Sequence, residues 1–127
     1  MTGPTLLQFL EHMAEFGREA REFAHGLTEE EFGKDRKTLY AVLNALQAVG
    51  EAAGRVSQAY PQFVARHPEV PWRLMTGMRN RLAHGYFEVR VDVVWGVLTK
   101  KLPALEESLP AVREDAVAYL RSLDPGS

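Results

Sequence analysis

Arginine, histidine and tyrosine fall together in one short stretch, Arg79-Asn80-Arg81-Leu82-Ala83-His84-Gly85-Tyr86. These are residue types that bind phosphate and move protons. A guanidinium grips a phosphate with a planar fork of donors, and a histidine titrates near neutral pH, so it can take or give a proton. On a helix, Asn80 and His84 stand four apart and Arg81 and His84 three apart, both neighbouring positions. Arg79, five before His84, is rotated from it by about 140° at ~100° per residue, so it flanks the histidine. Spacing alone leaves two readings open. One is a phosphate-handling site; the other is a polar helix end in which His84 caps the last carbonyls.

Most other chemistry is absent from the 127 residues. No Gly-x4-Gly-Lys loop or Gly-x-Gly-x2-Gly turn is present to cradle a nucleotide, and no His-Glu-x2-His pair to bind zinc. The chain has no cysteine, which removes thiolate nucleophiles and makes a structural zinc site unlikely to be part of the fold. It also fits a reducing, cytoplasmic setting. The other histidines, His12, His25 and His67, are scattered; His67, before Pro68, reads as a turn residue. The sequence therefore points to no metal and no cofactor. No segment approaches the ~18–20 apolar residues of a membrane span, and no signal-peptide core follows Met1. The formal charge of −2 is unevenly spread. Residues 55–90 carry six arginines against two acids, while the remainder carries nine basic and fifteen acidic groups. The basic region is the one that holds Arg79 and His84, so the near-neutral total does not argue against a polyanionic partner.

The elements that must position these residues read as helices throughout. Ala, Leu, Glu and Arg dominate and isoleucine is absent, a composition of helix formers. Leu6, Phe9, Leu10, Met13, Phe16, Ala20, Phe23 and Ala24 line one face of a first helix, about Thr5 to His25, ended by Gly26. Thr28 and Glu31 form a capping box for a short helix start. A second long helix follows from about Asp35 to Ala59, with Gly50 and Gly54 on one side, where another backbone could approach closely. A short helical turn carries Phe63 and Val64 ahead of His67-Pro68. Pro71 opens a third helix that runs to about Ala83 and stops at Gly85. Residues 88–93 alternate as a strand would but lack a partner strand, so a turn and then a helix from about Val91 to Lys101 are predicted. Pro103 opens the last helical region, which Pro110 is expected to split or kink, and the tail from about Asp124 should fray. The expectation is one all-α domain over residues 1–127, a bundle of about five helices.

The motif Arg79-x4-His84-x-Tyr86 resembles that of the HepT-like branch of the HEPN superfamily. The flanks agree: His67-Pro68-Glu69-Val70-Pro71-Trp72 before it, Val93-Val94-Trp95 and Lys101-Leu102-Pro103 after it, and Gly50-Glu51-Ala52 in the second long helix. Arg90, where the family often carries an acidic residue, is a departure that leaves the motif intact. The resemblance implies a HEPN-type helical bundle forming a two-fold homodimer. It implies a metal-independent ribonuclease that acts on RNA, with transfer RNA a candidate, as the toxin of a type VII toxin–antitoxin pair. Arg79 and His84 would then be catalytic, Asn80 and Arg81 substrate-binding, and Tyr86 the acceptor of AMP from an MntA-like minimal nucleotidyltransferase antitoxin, with which the dimer could assemble further. The alternative is a non-catalytic HEPN subunit that docks on, or binds nucleotide for, such a nucleotidyltransferase.

Overall fold

The structure, a computed structural model, describes residues 5–83, 85 and 89–123. Seven α-helical segments occur among these residues: α1 (Leu6–Phe23), α2 (Glu29–Lys34), α3 (Arg36–Ala59), α4 (Pro61–Arg66), α5 (Trp72–Ala83), α6 (Val91–Gly96) and α7 (Leu102–Ser122). A π-helical segment, Val97–Lys101, joins α6 to α7. The all-α expectation holds, and there is no strand among the described residues. The short helix start expected at Thr28 and Glu31 is α2, with its capping box in place, and the short helical turn expected around Phe63 and Val64 is α4.

Helix starts follow the chemistry of their caps. Thr5 accepts from the Gln8 N–H while Gln8 Oε1 accepts from the Thr5 N–H. Thr28 and Glu31 make the same reciprocal pair at α2, and Asp35 accepts from the Thr38 N–H at α3. Each satisfies amides that the first helical turn leaves open. Gly26 (φ 84°) and Gly85 (φ 126°) lie in the left-handed region after α1 and α5, a conformation that glycine adopts without strain. Pro71 stands one residue ahead of α5, and its carbonyl accepts from the Met75 N–H at 3.1 Å.

The last third of the chain departs from expectation. Instead of a new helix at Pro103 and a split at Pro110, one helix runs from Val91 to Ser122. The register widens just before Pro103, where the Leu102 N–H bonds to the Val97 carbonyl five residues back. A proline ring in an ordinary α-helix collides with the carbonyl four residues earlier; here the π turn precedes it and takes up the misfit. At Pro110 the helix is not split, and because the residue lies on the exposed face the carbonyl that loses its partner there can be hydrated.

Helix α3 is the central wall, with α1 and α5 packed along it and α7 against α1. The buried side chains form one hydrophobic cluster, including Leu10, Met13, Phe32, Leu43, Val49, Val56, Phe63 and Val112. Burying one such side chain contributes about 1.5–3 kcal/mol. Helix α5, which carries the motif arginines, is anchored by Trp72, Met75 and Leu82. The Trp72 indole N–H also donates to the His67 carbonyl at 3.0 Å. Helix α2 braces α6 through the Phe32 and Trp95 rings, 5.5 Å apart. Among the described residues, no helix is long and apolar enough to cross a membrane.

Candidate active site

Two glycines on α3 decide where Arg79 sits. A Cβ on Gly50 would lie 2.4 Å from the Met75 carbonyl oxygen and 2.5 Å from the Arg79 Cβ, distances no side chain can occupy. Only glycine lets α5 approach α3 this closely. At Gly54 the same construction meets only the Thr76 methyl at 3.6 Å, an ordinary contact. The close approach expected from the Gly50/Gly54 pair is therefore real, and Gly50 carries it.

Beside this contact lies an open groove of about 380 Å³ between α3 and α5, lined by Glu51, Arg55, Gln58, Thr76, Arg79 and Asn80 around the two glycines. The Arg79 guanidinium is 40% exposed at its edge. Its contacts are loose: Nη1 donates to Asn80 Oδ1 at 3.4 Å, and Nη2 lies 4.0 Å from Glu51 Oε2. A cation held this slackly keeps donors available for an incoming anion.

Arg81 is two residues on and points elsewhere. It lines a second cavity, about 370 Å³, with Met78, Leu82, Gly85, Val89, Arg90, Val93 and Val94, between the end of α5 and α6. Arg90 there is engaged by Asp92, with bonds of 3.2 and 2.7 Å. The structure thus brings Arg79 and Asn80 together in one groove and places Arg81 in another. That follows from the ~200° between positions i and i+2 on a helix. His84 and Tyr86 lie outside the described residues, as does the tail from Asp124.

Glu51 and Arg55 are the charged groove residues that the motif does not include. A signal for them exists in Gly50-Glu51-Ala52-Ala53-Gly54-Arg55: polar residues beside small ones spaced for close helix approach share the resulting groove.

His67, expected only to occupy a turn, is the buried centre of a charged cluster. Its Nδ1 lies 2.8 Å from Glu69 Oε2 and its Nε2 2.7 Å from Asp115 Oδ2. Both bonds form together only when both ring nitrogens carry hydrogen. Arg66 donates to the other Asp115 oxygen at 2.5 Å and lies 5.3 Å over the Tyr119 ring. The His67 hydrogen bond holds the Glu69 carboxyl below its usual value. With Phe63 stacked at 4.7 Å, this cluster ties α4 to α7. It is closed and its charges are paired, which suits structure better than chemistry. Among the described residues, no group of three or more His, Cys, Asp or Glu is placed to hold a metal ion.

Comparison with known proteins gives one consistent result. The chain is 36% identical to a protein of Thermococcus cleftensis named a probable ribonuclease HepT, over 84% of this chain and 94% of that one. It is 33% identical to a candidate RNase of Methanocaldococcus jannaschii, over 75% and 76% of the two chains. A candidate RNase of Caldanaerobacter subterraneus is 31% identical over 82% and 90%. No solved structure matches the chain significantly. The family model described as ribonuclease HepT-like matches residues 13–112, a span that holds both glycines of α3, the groove and the whole Arg-x4-His-x-Tyr stretch, and the chain belongs to that HepT-like family of the HEPN superfamily.

Proposed function

We propose that the protein is a metal-independent endoribonuclease that acts as a two-fold dimer, with Arg79 and His84 as its catalytic residues. The observation that carries this reading is Arg79 itself. It is held at the groove edge by the Gly50 contact, half exposed and incompletely paired, five residues before a histidine in a family of ribonucleases.

The chemistry needs no group beyond these. The 2′-hydroxyl of RNA loses its proton to a neutral imidazole, and its oxygen attacks the adjacent phosphorus. The P–O5′ bond breaks, and the departing oxygen takes a proton from an imidazolium. The products are a 2′,3′-cyclic phosphate and a free 5′-hydroxyl. One imidazole is poorly suited to be base and acid in the same step, whereas His84 from each protomer, facing across a two-fold axis, supplies both. Arg79 neutralises the charge that grows on the phosphoryl oxygens. Asn80 sits beside it as a substrate contact, and Arg81, on the other side of α5, meets a different part of the RNA.

Regulation follows from Tyr86. Transfer of AMP to its hydroxyl would add bulk and negative charge next to His84, which repels RNA phosphates. The protein then works as a type VII toxin, neutralised by an MntA-like nucleotidyltransferase. Incubation with RNA in chelator tests the reading: the wild type should cut and His84→Ala, folded, should not. Equal cutting by the two removes His84 as a catalyst. No cutting by either, with tight binding to the nucleotidyltransferase, identifies a docking subunit instead. Added AMP mass on the Tyr86 peptide checks the modification.

A further inference from the structure

We propose that the α3–α5 groove is an RNA-backbone subsite in which Arg55 binds a phosphate neighbouring the one held by Arg79, with Glu51 as the resident anion between them. The inference rests on the ribonuclease reading above and adds to it a substrate-binding residue outside the motif.

Arg55 Nη2 lies 3.8 Å from Glu51 Oε1, and Arg79 Nη2 lies 4.0 Å from Glu51 Oε2. Two guanidinium groups from different helices thus flank opposite oxygens of one carboxylate. Neither contact is a hydrogen bond, and all three side chains are well exposed, Arg55 at 62% and Glu51 at 49%. A pair so solvated adds little to stability, about 0–1 kcal/mol, so fold stability does not account for it. As a ligand site it is coherent. Without RNA, Glu51 screens two like charges that share one groove. A polyanion entering the groove offers each guanidinium a planar, bidentate partner in place of a shared distant one.

The lining also sets the class of recognition. Gly50 and Gly54 contribute no side chain to the lining, and Thr76 has already committed its hydroxyl to the Trp72 and Arg73 carbonyls. Gln58 and Asn80 are the amides left at the rim. Among the described residues, the side chains lining the groove are charged, amide or hydroxyl groups, which suit contact with the backbone of an RNA.

The test is binding of the full-length protein to a single-stranded 2′-O-methyl RNA oligonucleotide, which has no free 2′-hydroxyl and stays uncut, across a salt series. Arg55→Gln should weaken binding roughly fivefold and lower the slope of log affinity against log salt by about 0.7, the loss expected for one phosphate contact on a single strand. With cleavable RNA, its KM should rise while kcat stays within about twofold, because Arg55 does not touch the reacting phosphorus. Glu51→Gln should move binding the opposite way, to higher affinity and a steeper salt slope. Arg113→Gln, on the far α1–α7 side, should leave both unchanged. If Arg55→Gln binds like the wild type with the same slope, or Glu51→Gln does not tighten binding, the subsite is wrong while the ribonuclease reading stands. If AMP alone competes at concentrations equal to the oligonucleotide's, the groove holds a mononucleotide and the proposal fails. A wild type that neither binds nor cuts RNA overturns both.

Discussion

Two charged clusters lie in or beside the basic stretch 55–90, and they are built in opposite ways. Around His67, every charge meets a partner: Glu69 at 2.8 Å, Asp115 at 2.7 Å, and Arg66 on Asp115 at 2.5 Å. The histidine side chain is only 11% exposed. Around Arg79, nothing closes: 3.4 Å to Asn80, 4.0 Å to Glu51, and 3.8 Å from Glu51 to Arg55. Arginine and glutamate occur in both. The first cluster has already spent its bonding capacity on joining α4 to α7, while the second holds it in reserve at an open groove. Bond saturation, more than residue type, separates a structural cluster from a site that can still take a ligand.

The sharpest way to break this contrast is Arg79→Ala. If the guanidinium stabilises the transition state, kcat for RNA should fall about 10²–10³-fold, the range seen when a single charge-stabilising donor is removed. Thermal unfolding should change little, since the side chain is half exposed and loosely paired. A variant that melts early but cleaves normally would make the two clusters alike.

His67→Ala should show the reverse pattern. Breaking a fully buried ion pair costs 3–5 kcal/mol, and half exposure of Glu69 reduces that here to about 2 kcal/mol. Urea unfolding reads this directly, and cleavage per folded molecule should be unchanged.

Gly50→Ala tests the junction that places Arg79. With a methyl 2.4 Å from the Met75 carbonyl oxygen, α5 must shift, at a cost of about 1–3 kcal/mol, and activity should fall with it. Gly54→Ala is the control. Its methyl fits, and relief of glycine's helix penalty, up to about 1 kcal/mol, should leave stability equal or raised.

The smallest effect concerns acid. The Glu69 carboxyl is held below its usual value of 4.5, chiefly by the His67 hydrogen bond. A depressed carboxylate contributes stability above its unfolded value and loses it as pH falls through the folded one. Wild type should therefore be slightly more stable than Glu69→Gln at neutral pH, and the gap should close below about pH 4. A gap that persists at lower pH would show that Glu69 acts by packing rather than charge.

Much of this architecture was legible in the order of residues. Apolar spacing located α1, α3 and α5, and the Thr28/Glu31 and Gly26/Gly85 signals placed their neighbours, because helix caps and left-handed turns depend on local chemistry. The Gly50/Gly54 pair announced a close helix contact. The alternating segment before Val91 misled less than it could have, since a strand needs a partner and none was in view. The prolines misled more. Pro103 and Pro110 carry the same local instruction to stop a helix, yet one is absorbed by a π turn and the other rests on an exposed face. Neither outcome can be read from a local rule.

The chain's own sequence determined the family, the all-α character and the motif Arg79-x4-His84-x-Tyr86, since these depend on residue identity and short-range spacing. Tertiary structure alone decided the rest. It brought Glu51 of α3 to 4.0 Å from the motif arginine on α5. It also drew Asp115 across 48 residues to close on His67. The physical reason is common to both. A side chain's bonding partners are set by which helix faces meet, and that is fixed by packing between residues far apart in the chain.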